Sequence, residues 1–346
     1  MAATSAEDGR WGGTLATGAA GAGPGRGERG VRALPCPAMM LIMTGYIDVP
    51  ARLGTSVLPD GRLLGWAEWG PVDGVPVLLC PGAATSRWLG FGGGVVDALG
   101  VRLVSVDRPG LGVSTPAPGR TFSDFAGDLR HLCELRGLGH PAVVGNSQGA
   151  PFALSCAVEG VASALAVVSG ADEVARPEFT ALLDAEVREL VERTESDPAG
   201  AEAFFAGFTA EAMWNMVVSH SPACDLAVYR DPAFAAAYRR ALKEGFAQGT
   251  AGYARDTVLA MGRWPLALDE IAVPVDIWYG EQDTSHSPDN GTLLAARVPG
   301  ARHRVVPGIG GALLWTHAEP VLASLLDGAA GGGLSPWPRR PCRRRP

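Results

Sequence analysis

The sequence predicts an α/β fold, in which a mostly parallel, doubly wound sheet follows an N-terminal antiparallel hairpin. Short runs rich in Val, Leu and Ile recur along the chain, mostly without polar alternation, as in parallel strands that are buried on both faces. Segments with helical periodicity separate these runs. One connection of about 100 residues interrupts the alternation, where loops of roughly two to six residues are usual, and this length predicts an inserted helical cap.

The first predicted element is the hairpin that precedes the parallel strands. Two stretches of alternating polarity, ARLGTSVLP and RLLGWAEWG, flank Asp60-Gly61, a dipeptide typical of tight turns between antiparallel strands. Helical periodicity then appears between the apolar runs, for example at residues 122–135. The predicted parallel strands are residues 75–80, 101–106, 142–144, 164–168, 275–279 and 304–306.

The predicted domain boundaries follow changes in composition. Residues 45–172 and 273–327 form the α/β core, and residues 173–272 form the helical cap. Residues 1–44 are rich in Gly, Ala and Arg, and residues 328–346 contain five arginines. Neither segment has the apolar periodicity of a packed core, so we expect both to be disordered. Within the cap, helical periodicity covers residues 178–191, 201–217 and 234–248.

Charge and hydropathy argue against two kinds of partner. The N-terminal segment carries four arginines against three acidic residues and the C-terminal segment carries five arginines, so the net charge of −7 becomes about −13 for the rest. That acidity argues against nucleic acid. No run reaches the roughly 18 apolar residues that span a bilayer, and the N-terminal segment lacks a signal-peptide core. We therefore expect no membrane partner and a cytoplasmic location.

The cysteines indicate neither a disulfide framework nor a metal site. The chain has six, with no C-x-x-C pair and no metal-ligand spacing. Four of them lie in apolar stretches typical of buried free thiols, which fits a reducing compartment. The sequence thus predicts no metal and no organic cofactor, and it leaves the oligomeric state open.

The most informative local pattern is G-x-S-x-G at residues 145–149, between the apolar Val143-Val144 and the helix-like residues 150–154. A serine at a tight strand-to-helix turn takes a strained backbone conformation, and the flanking glycines leave room for neighbouring chains. The free N–H groups of the following helix point to the same place, where they can stabilise an oxyanion. The pattern predicts a nucleophilic Ser147.

Further segments together resemble the α/β-hydrolase superfamily, and within it the capped esterase, lactonase and iminopeptidase-like branch. They are the hairpin, CPGA at residues 80–83, DRPGLGVS at 107–114, the serine turn, the cap and GEQD at 280–283. The resemblance covers residues 46 to about 327. It implies the α/β-hydrolase fold and a catalytic triad in the chain order serine, acid, histidine.

The resemblance assigns roles to individual residues. Ser147 matches the nucleophile, and the backbone N–H groups of Gln148 and Ala83 match the two donors of the oxyanion hole. The family usually has His-Gly before the second donor, whereas this chain has Pro81-Gly82. The backbone donor is retained, but the residue that buttresses this loop has changed.

Two carboxylates are candidates for the triad acid. Asp283 follows an apolar strand at the position where the family carries the acid that orients the imidazole. Asp172, just after the preceding strand, is the alternative, because some relatives take the acid from there. Either side chain can instead serve as a helix cap.

The histidine is the point at which the resemblance fails. Family members typically read P-G-x-G-H after the last strand, whereas this chain has Gly311 where the histidine belongs. His317, six residues further on, is the predicted base if the glycine-rich segment 308–311 brings it to Ser147. His286, three residues after the acid, is the alternative base or a residue that lines the site, because it lies at the sheet edge where such folds bind ligands.

These residues predict a serine hydrolase that acts on a small ester, lactone or amide with an apolar group under the cap. Two other functions remain open at this stage. One is a lyase or cyclase that uses the oxyanion hole and His286 without a covalent serine intermediate. The other is a non-catalytic protein that binds a small ligand, which the displaced histidine would allow.

Overall fold

The predicted sheet is present in the computed structural model, which describes residues 45–331; the N-terminal segment and residues 332–346 lie outside this range. Within it, the strands form one eight-stranded sheet in the order β1-β2-β4-β3-β5-β6-β7-β8. Their bounds are β1 (Arg52–Val57), β2 (Leu63–Trp69), β3 (Val75–Cys80), β4 (Val101–Val106), β5 (Ala142–Ser147), β6 (Leu165–Gly170), β7 (Val275–Gly280) and β8 (Arg302–Val306).

Strand direction confirms the predicted fold class. Strands β1, β2 and β4 pair antiparallel, while the pairs from β4 through β3, β5, β6 and β7 to β8 are parallel. The hairpin turns at the predicted dipeptide: Gly61 has φ 86°, a left-handed conformation that glycine adopts without a steric penalty. A hydrogen bond from Leu58 N–H to the Arg62 carbonyl (2.8 Å) closes the turn.

The central strands are apolar without alternation because both faces of the sheet are covered. In β3, Val77 and Leu79 belong to one apolar cluster, while Leu78 and Cys80 belong to the other. Successive side chains of a strand point to opposite faces, so a strand between two helical layers needs apolar residues at every position. This arrangement places the carboxyl ends of β5, β6 and β7 side by side.

Helices cover the two faces and fill the long connection. The first long helix begins with a reciprocal capping box between Thr121 and Asp124 and ends at Gly137, which has φ 62°. The helices are α1 (Val95–Ala98), α2 (Phe122–Arg136), α3 (Ala150–Val158), α4 (Ala185–Ser196), α5 (Pro198–Phe205), α6 (Ala210–His220), α7 (Leu226–Tyr229), α8 (Pro232–Gly245), α9 (Ala251–Met261), α10 (Thr292–Arg297), α11 (Leu313–Thr316) and α12 (Ala318–Gly331).

The connection between β6 and β7 contains α4 to α9, and residues 173–272 are called the insertion below. The expected helix at 201–217 is two helices, because Thr209 caps a new helix by accepting a hydrogen bond from Ala212 N–H (3.1 Å). The helix expected at 178–191 begins only at Ala185.

The end of the described chain is helical. The last helix continues to Gly331, so the first four residues of the segment expected to be disordered, 328–331, are helical. Among residues 45–331, no helix is both long and apolar enough to cross a membrane.

Candidate active site

Ser147 lies at the turn between β5 and α3, in the strained conformation that its sequence context predicts. Its φ is 50°, a left-handed value that is unusual for a residue with a side chain. A Cβ atom on Gly149 would lie 2.0 Å from the Cys80 carbonyl oxygen, and one on Gly145 would lie 2.6 Å from Ala153 Cβ. Both glycines are therefore required for the close packing of the turn against β3 and α3.

His286 connects Ser147 to Asp283. Its Nε2 lies 3.1 Å from Ser147 Oγ, and its Nδ1 lies 2.9 Å from each carboxylate oxygen of Asp283. The histidine and the aspartate share one loop after β7, and the serine lies at the end of β5, with β6 between the two strands. The three groups form a continuous hydrogen-bonded chain, with geometry suited to proton transfer from the hydroxyl to the imidazole.

The electrostatics around the imidazole stabilise its protonated form and the ionised form of the neighbouring carboxylate. Burial alone would lower the pKa of His286, but the carboxylates of Asp283 and Asp225 outweigh it and raise that pKa above its usual value. Burial would raise the pKa of Asp283, but the imidazole and the hydrogen bonds that the carboxylate accepts lower it. The aspartate therefore stays ionised and stabilises the imidazolium.

Gly311 leaves the space that the imidazole occupies. A Cβ atom on this residue would lie 2.8 Å from His286 Cε1 and 3.2 Å from His286 Nδ1, closer than a methyl group tolerates. The backbone of Gly311 is outside the left-handed region, so the restriction is steric. The absence of a side chain at 311 is thus a condition for the observed position of His286.

The structure does not bring His317, the predicted base, into the hydrogen-bonded series of Ser147, His286 and Asp283. The residue lies between α11 and α12, where its N–H donates to the Leu313 carbonyl (2.8 Å) and its carbonyl accepts from Val321 N–H (3.2 Å). Its Nδ1 lies 2.9 Å from Thr316 Oγ1. Two helices fix this backbone, so segment 308–311 does not carry the ring to Ser147. The ring that lies against Ser147 Oγ is that of His286.

Asp172, the alternative acid, does not face the imidazole ring. Its carboxylate accepts from Ser287 Oγ (2.9 Å) and from Glu173 N–H (2.7 Å), while its own N–H donates to the His286 carbonyl (3.1 Å). Burial raises the pKa of Asp172 to about 6. Asp172 supports the loop that carries His286, and the ring itself is held by Asp283.

The two predicted oxyanion residues flank Ser147. The turn that contains Ala83 lies against the serine, because a Cβ atom on the preceding Gly82 would be 3.3 Å from Ser147 Cβ and 3.6 Å from its Oγ. Gln148 follows the serine directly. Among the described residues, neither backbone N–H donates to a protein acceptor. Both N–H groups are therefore available as hydrogen-bond donors beside the serine turn.

Arg108 is a buried support for this turn that the sequence analysis missed. Its guanidinium donates to the carbonyls of Pro81 and Gly82, the latter at 2.9 Å, and to Gln148 Oε1 at 3.3 Å. Its Nε donates to Asp256 Oδ2 at 2.7 Å, and both charged side chains are fully buried. The Asp-Arg-Pro-Gly stretch that contains Arg108 was the available signal, but nothing in it indicated which loop the arginine contacts.

These observations define the class: an α/β protein with a serine, histidine and aspartate in hydrogen-bonded series at the carboxyl edge of a parallel sheet. The chain belongs to the alpha/beta hydrolase fold family, whose model matches residues 75–318. Within the described part of the chain, no group of three or more His, Cys, Asp and Glu side chains is arranged to hold a metal ion.

Solved structures of the same fold carry several activities. An enol-lactonase from Burkholderia xenovorans LB400 matches with a TM-score of 0.58 at 18% identity, covering 80% of this chain and 100% of its own. The esterase RhEst1 from Rhodococcus sp. ECU1013 matches with a TM-score of 0.57 at 20% identity. The match covers 81% of this chain and 99% of the esterase. A bromoperoxidase from Bacillus anthracis matches with a TM-score of 0.59 at 18% identity. The match covers 80% of this chain and 100% of the bromoperoxidase. At these identities the similarity establishes the fold alone.

Proposed function

We propose that this protein is a serine hydrolase that acts on a small ester, lactone or amide, with Ser147 as nucleophile, His286 as base and Asp283 as the orienting acid. The observation that carries the proposal is the hydrogen-bonded chain through both nitrogens of the His286 imidazole. Each group has the partner that its role requires: the hydroxyl has an acceptor, and the imidazole has a carboxylate on its other nitrogen.

The chemistry follows from this geometry. Ser147 Oγ attacks the substrate carbonyl carbon while its proton passes to His286 Nε2. The backbone N–H groups of Ala83 and Gln148 bind the oxyanion of the tetrahedral intermediate. The intermediate collapses to an acyl-enzyme as the leaving group takes the proton from the imidazole. Water, deprotonated by the same histidine, then hydrolyses the acyl-enzyme and frees the serine.

The base of this mechanism comes from an unusual place in the chain. In the family that the chain resembles, the histidine follows the last strand, whereas here we assign it to the loop after β7. A Cβ atom at position 311 would lie 3.6 Å from Asp283 Oδ2, beside the carboxylate that the imidazole uses. We infer that a glycine at 311 and a histidine at 286 compensate for each other.

The insertion is proposed to cover the acyl or ring group of the substrate. It packs against the α/β core, since the Phe234 ring lies 5.0 Å from that of Trp315 in α11, and Ser86 N–H in the loop after β3 donates to the Ala241 carbonyl (3.2 Å). A cover of this kind excludes water and strengthens the hydrogen bonds to the oxyanion. The esterase and lactonase names of the similar structures agree with a carbonyl substrate.

The test is the intact mass of the purified protein after treatment with an alkyl fluorophosphonate, with Ser147→Ala as the control. We expect one adduct per chain, formed when Ser147 Oγ bonds to phosphorus and fluoride leaves, and none in the variant. An unlabelled wild type would contradict the serine mechanism. Turnover that survives Ser147→Ala would instead favour a lyase or cyclase, and small-ligand binding without turnover would favour a binding protein.

A further inference from the structure

Asp225 is an unusual buried carboxylate next to the proposed base. It belongs to the insertion, precedes α7 and is fully buried. Its Oδ1 accepts from Gly310 N–H (2.9 Å) and its Oδ2 accepts from Ala312 N–H (3.1 Å). These two amides flank Gly311, the residue that leaves room for the His286 ring.

Most fully buried carboxylates among the described residues pair with arginine, so the lack of a cationic partner at Asp225 requires a reason. A buried charge without a cation is costly, and most proteins avoid it. Within residues 45–331, Asp225 makes no ion pair with lysine or arginine. The fully buried carboxylates that do pair with arginine are Glu68, Asp107, Glu173, Asp256 and Asp276.

The packing between Asp225 and the loop is as tight as that between the loop and His286. A Cβ atom on Gly310 would lie 2.6 Å from Asp225 Oδ2 and 2.5 Å from Pro222 Cγ. A Cβ atom on Gly280 would lie 2.3 Å from the Ile309 carbonyl oxygen. The segment 309–312 is therefore clamped between the end of β7 and the insertion, and any displacement of it reaches the imidazole.

We propose that Asp225 is a positioning residue of the active site: it holds segment 309–312 in place behind the His286 imidazole and supplies a second negative charge that stabilises the imidazolium formed during catalysis. This inference rests on the proposed function, because it takes His286 as the base. It makes the insertion part of the proton-transfer apparatus as well as a cover for the substrate.

The titratable groups around the imidazole are few and have distinct effects. Asp283, on the same loop, and Asp225, from the insertion, both raise the pKa of His286. The Tyr229 hydroxyl is buried near both carboxylates, and burial raises its pKa well above the usual value, so it stays neutral. Asp172, whose N–H donates to the His286 carbonyl, has a pKa of about 6 and titrates in the same range as an imidazole. Its titration must be separated from that of His286.

The experiment measures the pKa of the His286 imidazole by NMR, from the pH dependence of its ring proton, in the wild type and in Asp225→Asn. His286→Ala assigns the resonance, and an Asp172→Asn background removes the overlapping titration. We expect the His286 pKa to fall in Asp225→Asn, because the substitution removes one carboxylate charge. The acidic limb of the fluorophosphonate labelling rate should move to lower pH with it, and the plateau rate should fall roughly tenfold or more because the loop is held by one acceptor fewer.

Asp231→Asn is the matched control. Asp231 lies in the same insertion and caps α8 by accepting from Phe234 N–H (2.8 Å), and its carboxylate accepts no hydrogen bond from segment 309–312. We expect it to reduce stability slightly and to leave the His286 titration unchanged. Asp225→Glu, which keeps the charge on a longer side chain, should retain the raised pKa while the labelling rate falls.

The outcomes separate this inference from the proposed function. An unchanged His286 titration in both Asp225→Asn and Asp225→Glu, with normal labelling, would overturn the role of Asp225 and leave the serine hydrolase intact. A wild type that is not labelled would contradict the hydrolase, while the NMR titration still reports whether Asp225 acts on the imidazole. If Asp225→Asn fails to fold, Asp225→Glu decides: a normal His286 pKa with normal labelling would argue against a positioning role.

Discussion

The two sides of the proposed active site are held by different kinds of interaction. On the oxyanion side, the Arg108 guanidinium binds the carbonyls of Pro81 and Gly82 and is neutralised by the buried Asp256. On the histidine side, the ring of His286 fits a space that Gly311 leaves open. Charge pairing sets the first geometry, whereas the second depends on steric clearance at Gly311 together with the hydrogen bond from the ring to Asp283. Damage to the oxyanion side should therefore appear first as lost stability, and damage to the histidine side as lost activity.

The largest effect on the histidine side is expected from His286→Ala. Removal of the proposed base leaves the serine hydroxyl without a proton acceptor, so the rate of fluorophosphonate labelling should fall on the order of 10⁴-fold. His317→Ala is the matched control and should label like the wild type, because its ring contacts Thr316. A large loss in His317→Ala with normal labelling of His286→Ala would reverse the assignment of the base.

On the oxyanion side, Arg108→Met should chiefly lower stability. The substitution leaves the carboxylate of Asp256 buried with one guanidinium fewer, and breaking a buried ion pair costs about 3–5 kcal/mol. Denaturant unfolding of the purified variant measures the loss. Arg240→Met is the control, since its ion pair with Glu244 is solvent-exposed and is worth about 1 kcal/mol or less. Equal losses in the two variants would argue against this account of Arg108.

A smaller loss of activity is expected from Gly311→Ala. The added methyl group would lie 2.8 Å from His286 Cε1, so the ring must move, and a displacement near 1 Å can cost about 10²-fold in rate. Labelling kinetics measure this loss, and denaturant unfolding should show a smaller change. Gly127→Ala in α2, where a methyl group meets nothing within 4 Å, should leave the rate unaltered. A labelling rate equal to that of the wild type in Gly311→Ala would mean that the position of the imidazole does not depend on the space left at residue 311.

Asp172→Asn tests the cost of a buried carboxyl that is hydrogen-bonded to Ser287 in the histidine loop but makes no ion pair within residues 45–331. Burial raises the pKa of Asp172 from 3.8 to about 6, so the folded state favours the protonated form. The protonated carboxyl therefore contributes to the free energy of unfolding in full below pH 3.8, and this contribution is lost as the pH rises through about 6. The asparagine variant should therefore gain about 1–3 kcal/mol of unfolding free energy at pH 8, and nothing at pH 3.5. Equal differences at the two pH values would contradict this.

The smallest expected effect is a partial recovery of the labelling rate that His286→Ala loses. In His286→Ala combined with Gly311→His, the new Cβ atom lies near Asp283 Oδ2, in the space that the original ring has left. We expect labelling at least roughly tenfold faster than in His286→Ala alone, since proton acceptance by a positioned side chain contributes about 10²–10⁴-fold. His286→Ala with Gly310→His is the control, because position 310 faces Asp225. No rescue at 311 would mean that the two positions do not compensate.

Much of the fold was readable from local sequence patterns. The strands at 75–80 and 101–106 lie within the predicted bounds, and the hairpin turns at Asp60-Gly61. Helix bounds inside the insertion were less accurate: the break near Thr209 depends on a cap and on packing among Phe204, Phe205 and Phe208. Apolar periodicity reports burial, and it continues across such a break.

The sequence by itself predicted the serine turn and an aspartate after β7, because both are local patterns: G-x-S-x-G between an apolar run and a helix, and a carboxylate after an apolar strand. Only the tertiary structure decided which histidine meets Ser147. His286 is 139 positions from the serine in the chain, and its ring reaches the hydroxyl because the loop after β7 extends past the end of β6 to that of β5 and Gly311 leaves the space. Side-chain direction and clearance across such separations depend on packing, which no local pattern contains.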